Sequence, residues 1–188
     1  MISFRRNHVR TQPINDYAGV DDFFSVFTDC MDQLYQLSFL LTADHQKAKR
    51  CFVAGLDESV TSNRVFREWA RSWAKRAIIQ NAIREVKPHS SLSNLYAFAV
   101  SDYVVEVPGG ERHFTLNSIL ALPDFERFVF VMSVLERYSD HDCAILLGCT
   151  GQEIREARVR SYSRLANTLR IVPPHKITDA PLASRRFS

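Results

Sequence analysis

The chain has 188 residues, 46% of them hydrophobic and 24% charged, with a formal net charge of +3. That balance is ordinary globular composition and the length is ample for the core of one domain or two small ones, which excludes a disordered or low-complexity chain. No apolar run approaches the roughly 18 uninterrupted residues of a membrane span. The arginines at 5, 6 and 10 have no apolar block behind them, so no secretory signal and no membrane association are expected, and the expected location is the cytoplasm.

Four cysteines (Cys30, Cys51, Cys143, Cys149) form no C-x-x-C pair and no zinc-ligand spacing with histidine. They read as buried or half-buried thiols, and no metal site is expected. Charge is uneven along the chain. Residues 151–188 carry eight basic and three acidic side chains, residues 64–87 carry seven and two, and the remainder is net −7. Two basic segments on an acidic remainder suggest two contacts with a polyanion, the alternative being two solvated helix faces.

Residues 1–19 lack any period and read as a mobile leader. From Val20, the positions Val20, Phe23, Phe24, Phe27, Met31, Leu34, Leu37 and Leu41 follow one-face helical spacing and predict a single six-turn helix. A second amphipathic helix is expected from about 45 to 57, with Ala48, Cys51, Phe52 and Leu56 inward. Gly55 costs its last turn about 1 kcal/mol of propensity. A third helix is expected from about 63 to 86. In helical projection Arg64, Arg67, Arg71 and Lys75 fall within roughly 80° of one another. Phe66, Trp69, Trp73 and Ala77 lie opposite, so a row of four cations faces outward and two tryptophans inward.

Lys87-Pro88 ends this helix, and residues 88–114 read as a linker. Its stretch from Leu95 to Val107 is rich in tyrosine, phenylalanine and valine, a composition favouring extended structure that folds back on a neighbour or binds a partner. A short helix around Leu116, Ile119 and Leu120 follows. Leu122-Pro123 then opens an apolar run through Phe125, Phe128, Val129 and Met132. Ser139 with Asp142 at N3 signals another helix start, and Gly148-Cys149 its end. Thr150 with Glu153 at N3 is a capping box for the next helix. Two capped helices joined by a glycine turn, the second arginine-rich, read as a helix-turn-helix, the alternative being an ordinary helical hairpin. Residues 171–188 are polar and read as a disordered tail.

The block from Leu122-Pro123 through Asp142-x-Ala144, Gly148-Cys149-Thr150, Ile154, Arg155, Arg160 and Leu165 resembles region 4 of sigma-70 family RNA polymerase sigma factors. The N-terminal half, with its long apolar helix, Ala48 in a second helix and Trp69 in a basic one, is similar to region 2. Together they resemble the small extracytoplasmic-function type. The resemblance implies an all-α fold of two helical domains, a region 2-like one at 20–87 and a helix-turn-helix one at 115–170. It implies a non-enzymatic, cofactor-free transcription initiation factor whose partners are double-stranded promoter DNA, bacterial RNA polymerase core and an anti-sigma factor.

On that reading the helix opened by Thr150 and Glu153 enters the major groove. With Ile154 inward, Ala157, Ser161 and Leu165 share its side. Gln152, Arg155, Glu156 and Val159 then point toward bases, and Arg160 and Arg164 flank them at phosphates. Arg64, Arg67, Arg71 and Lys75 would hold the downstream element. Lys49 and Arg50 stand where the family usually carries acids that grip the polymerase β′ subunit. Two alternatives therefore stay open: a helix-turn-helix regulator that binds DNA without core polymerase, and a protein-interaction adaptor on the same scaffold.

Overall fold

The computed structural model describes residues 16–61, 64–89 and 115–170, with side chains to position 167. Within them the chain is all-helical apart from one isolated antiparallel bridge between Tyr17 and Phe66. The helices are α1 (Val20–Asp29), α2 (Met31–Thr42), α3 (His45–Thr61), a 3-10 turn (Arg67–Trp69), α4 (Ala70–Val86), α5 (Leu116–Leu120), α6 (Asp124–Phe130), α7 (Asp140–Leu147) and α8 (Gly151–Arg170). The apolar segment at 95–107, residues 1–15 and the tail at 171–188 lie outside the described residues.

The six-turn first helix is in fact two. At Cys30 the backbone leaves helical geometry (φ −111°, ψ 18°), and α2 restarts from it. Each short helix buries a narrower stripe than one long helix would. Phe23 and Phe27 go inward from α1, and Leu34, Leu37 and Leu41 from α2, while Val20, Phe24 and Met31 are exposed. Helix α3 runs four residues beyond the expected end, through a buried Gly55. A Cβ at Gly55 would lie 2.8 Å from Cγ1 and 3.3 Å from the backbone nitrogen of Ile78. The glycine that weakens the helix locally is what lets α3 approach α4.

The third helix begins at Ala70, not near 63. Ahead of it, Ala18 donates to the Val65 carbonyl and Arg67 to the Asp16 carbonyl, both at 2.8 Å. Residues 16–18, expected in the leader, are thus pinned to 65–67. Because 64–69 do not follow helical register, the projected two-faced helix fails at its start. Trp69 and Phe66 are exposed and Trp73 is half-buried, whereas Ala77 is buried.

The second group of helices follows the sequence closely. Thr115 caps α5, its Oγ1 accepting from the Ser118 N–H at 3.3 Å. Every residue from Phe125 to Met132 is buried. Helix α6 then widens into a π turn over Val131–Leu135, closed by the Glu136 N–H donating to the Val131 carbonyl at 2.9 Å.

One apolar core joins the two groups. Phe27, Leu34, Leu41, Ile78 and Ile79 belong to the same buried cluster as Phe128, Phe130, Met132, Ile154 and Leu165. Full burial of each such side chain contributes about 1.5–3 kcal/mol. Polar contacts cross the seam as well. The buried guanidinium of Arg127 donates from Nε to the Leu41 carbonyl (3.3 Å) and from Nη1 to the Leu122 carbonyl (2.8 Å). Lys75 Nζ donates to Glu136 Oε2 at 2.5 Å.

Candidate nucleic-acid interface

The pair α7 and α8 and the turn between them are built from local chemistry. The Asp142 N–H donates to Ser139 Oγ at 3.1 Å, which starts α7. Gly148 adopts φ 65°, the left-handed conformation glycine accepts without strain, and ends it. The Glu153 N–H donates to Thr150 Oγ1 (3.2 Å) while the Thr150 N–H donates to Glu153 Oε2 (2.8 Å), a reciprocal capping box that starts α8. These two residues are therefore occupied in defining the helix end.

Helix α8 has two faces. Ile154, Ala157, Ser161 and Leu165 are fully buried, as the spacing predicts. Opposite them, Gln152, Arg155 and Val159 are exposed and Glu156 is partly so. The Gln152 amide donates to Glu156 Oε1 at 2.9 Å. Arg155 makes no hydrogen bond or ion pair among the described residues. Val159 is 63% exposed, an apolar group held in water on an otherwise polar face. One fork-shaped donor, one amide and one methyl-bearing side chain on an exposed helix face are groups of the kinds able to pair with base edges.

The flanking arginines differ from the simple expectation. Arg160 Nε lies 3.1 Å from Glu126 Oε1, and Arg164 Nε 2.7 Å from Glu126 Oε2. The carboxylate side chain is 8% exposed and the arginines 43% and 52%. Both cations are thus tethered to α6 while still reaching solvent.

Arg158 forms a two-pronged contact with Asp140, Nη1 to Oδ1 at 2.5 Å and Nη2 to Oδ2 at 3.2 Å. That hydrogen bond holds the Asp140 carboxyl below its usual range and raises Arg158 further. It fixes α8 against α7. Beneath it, burial pushes the Cys143 thiol up to about 11, so this cysteine is protonated and inert at neutral pH.

The upstream cations do not form one row. Arg64 sits over the Tyr17 ring, 5.6 Å from its centroid, and Arg67 pairs with Asp22 at 3.2 Å. Arg71 donates to the Gln33 side chain, and Lys75 is spent on Glu136 across the seam. Arg64, Arg67 and Arg71 remain exposed, but on separate elements rather than on one helical face. In α3, Lys49 is exposed and Arg50 pairs with Glu85 at 2.5 Å.

Sequence reasoning missed Glu126, Arg127, Glu136 and Asp140 as organising groups. The available signal was a charged pair, Glu126-Arg127, inside an otherwise apolar run, since buried charges persist only when paired.

No family model matches the chain, and no curated protein sequence matches it. Among solved structures it is similar to the sigma factor RpoE from Bartonella quintana, in a co-crystal structure with the anti-sigma factor NepR. There 16% of residues are identical, 81% of this chain and 99% of that one are covered, and the TM-score is 0.46.

Proposed function

We propose that the chain is a sequence-specific DNA-binding initiation factor of the sigma type, which directs bacterial RNA polymerase to promoters. The observation that carries this is the outer face of α8. Behind a capped glycine turn, Gln152, Arg155 and Val159 project from a helix whose opposite side is locked into the core. The resemblance of residues 122–165 to sigma region 4 supplies the polymerase part of the reading. In this role Arg155 reads a base edge, Val159 meets a thymine methyl, and Arg160 and Arg164 share their charge between Glu126 and phosphate. Arg64, Arg67 and Arg71 contact backbone downstream.

The exposed Lys49 favours a second reading, a regulator that binds DNA without polymerase, because an acidic grip on β′ is lacking at that turn. One experiment separates the two. Duplexes bound by the protein are selected from a random pool, and the selected sequence is placed upstream of a run-off template with bacterial core polymerase. Selected-site transcripts support the sigma reading. Selection without transcripts or core binding supports the second, and failure to enrich any duplex refutes both.

A further inference from the structure

At the seam between the two helical groups lies a cavity of about 660 Å³, within the usual range for small-molecule sites and at the usual place, between packed units. Both tryptophans of the chain line it, together with Phe66 and Tyr138. Trp69 is 57% exposed, and Phe66 meets it edge-on with centroids 5.3 Å apart. Trp73 reaches the same cavity, and its buried indole N–H has no hydrogen-bond acceptor among the described residues. One face of Phe66 is covered by the stacked Tyr17 ring, centroids 4.9 Å apart, which leaves Trp69 as the ring most open to a stacking partner.

The cavity is lined by four cations (Arg64, Lys75, Arg76, Arg137) against two carboxylates (Glu136, Asp142), a net positive lining. Lys75 is paired with Glu136, and Asp142 keeps its charge while accepting a hydrogen bond from Ser139. Arg76 and Arg137 remain, with no ion-pair partner among the described residues. Arg137 adopts φ 59°, held there as the Tyr138 N–H donates to the Met132 carbonyl at 2.9 Å. The same left-handed conformation ends helices at Ala43 and Lys87, so at Arg137 it serves as the stop after the π turn.

We infer that this cavity binds a small aromatic anion, a planar ring against the Trp69–Phe66 aromatics with its negative group at Arg76 and Arg137. Trp69, Trp73 and Arg76 come from the first helical group and Arg137 and Tyr138 from the second. Occupancy therefore stabilises their packed arrangement by the linkage of binding to folding. The site stands independently of whether the chain binds promoters.

The test uses the full chain and its own fluorescence. Trp69 and Trp73 are its only tryptophans, so their emission reports this cavity alone. Adenosine 5′-monophosphate, adenosine, inorganic phosphate and a single-stranded oligonucleotide are titrated in parallel, with calorimetry as a second readout. The nucleotide is expected to change the emission saturably, adenosine to bind about tenfold more weakly, and phosphate alone to leave the emission unchanged. Arg137→Asn, which removes the charge and tolerates the left-handed backbone, is expected to weaken nucleotide binding about tenfold without altering the circular dichroism. Trp69→Ala is expected to do the same by calorimetry. The proposal is overturned by no saturable response to the nucleotide, by equal binding of adenosine, or by indifference to Arg137→Asn. Binding of the oligonucleotide alone also overturns it, and assigns the aromatics to a DNA strand.

Discussion

Glu126→Gln separates a structural role for Arg160 and Arg164 from a phosphate-binding one. The wild-type carboxylate is nearly buried and holds both guanidinium groups, at 3.1 and 2.7 Å, while each arginine keeps about half of its side chain in water. Glutamine preserves the volume and one acceptor oxygen but removes the charge. Because the freed arginines are resolvated at little cost, the loss in stability is about 1–2 kcal/mol, well below that of breaking a fully buried pair. On DNA the change runs the other way. Each arginine freed from the shared carboxylate completes a phosphate contact worth about 0.9 in the log–log salt slope, so the slope steepens by part of that amount per arginine and binding strengthens about threefold to tenfold, on any sequence. The assay is fluorescence anisotropy on a selected and a random duplex over a salt series, with thermal melts alongside. Arg164→Ala serves as the opposite arm and is expected to weaken both duplexes equally and to flatten the slope, by at most about one. A lower melting temperature with an unchanged slope in Glu126→Gln would sink the reasoning, and would assign both arginines to the α6–α8 joint alone.

Arg155→Ala is expected to cost about 1–3 kcal/mol on the selected site and to relax sequence preference, with little change on random duplex; competition against single-base variants of the site checks this. Gly55→Ala is expected to destabilise by about 1–3 kcal/mol despite alanine's better helix propensity, since its methyl meets the Ile78 side chain and backbone; urea unfolding measures it, and a neutral or stabilising result refutes the close approach. The Asp140–Arg158 pair gives a pH dependence. Its depressed carboxyl means the unfolded chain binds the proton more readily, so the stabilisation is complete above the ordinary carboxylate pKa and is lost as pH falls through the folded one. Arg158→Ala is accordingly expected to lower the melting temperature at neutral pH and to narrow the gap to wild type as the solution is acidified. A gap that stays constant on acidification rules out this linkage.

The helices α7 and α8 and the turn joining them are legible in the sequence because their determinants are local. Ser139 and Asp142, Gly148, and Thr150 and Glu153 act within one turn of where they stand, and the buried stripe of α8 follows from a 100° step. The all-helical class follows from the same periodicities. The break at Cys30 is not legible, since no glycine or proline marks it and Val20, Phe24 and Met31 fit an uninterrupted stripe. The need for glycine at 55 is not legible either, because the side chain that a Cβ there would meet, Ile78, lies more than twenty residues away.

The outer face of α8 follows from helical periodicity, but what its flanking charges do does not. Helical projection gives the direction of a side chain and is silent about what waits there. Arg160 and Arg164 meet Glu126, Arg158 meets Asp140, and Lys75 meets Glu136, each partner supplied by a distant part of the chain. Projection also assumes a helix through 64–69, where pairing with residues 16–18 wins instead and turns Trp69 outward. Local sequence determined the helical class and the caps of α7 and α8, because those energies are settled within a turn. The tertiary structure alone decided which charges are free and which aromatics are open, because burial and ion pairing are long-range choices among partners that no local window contains.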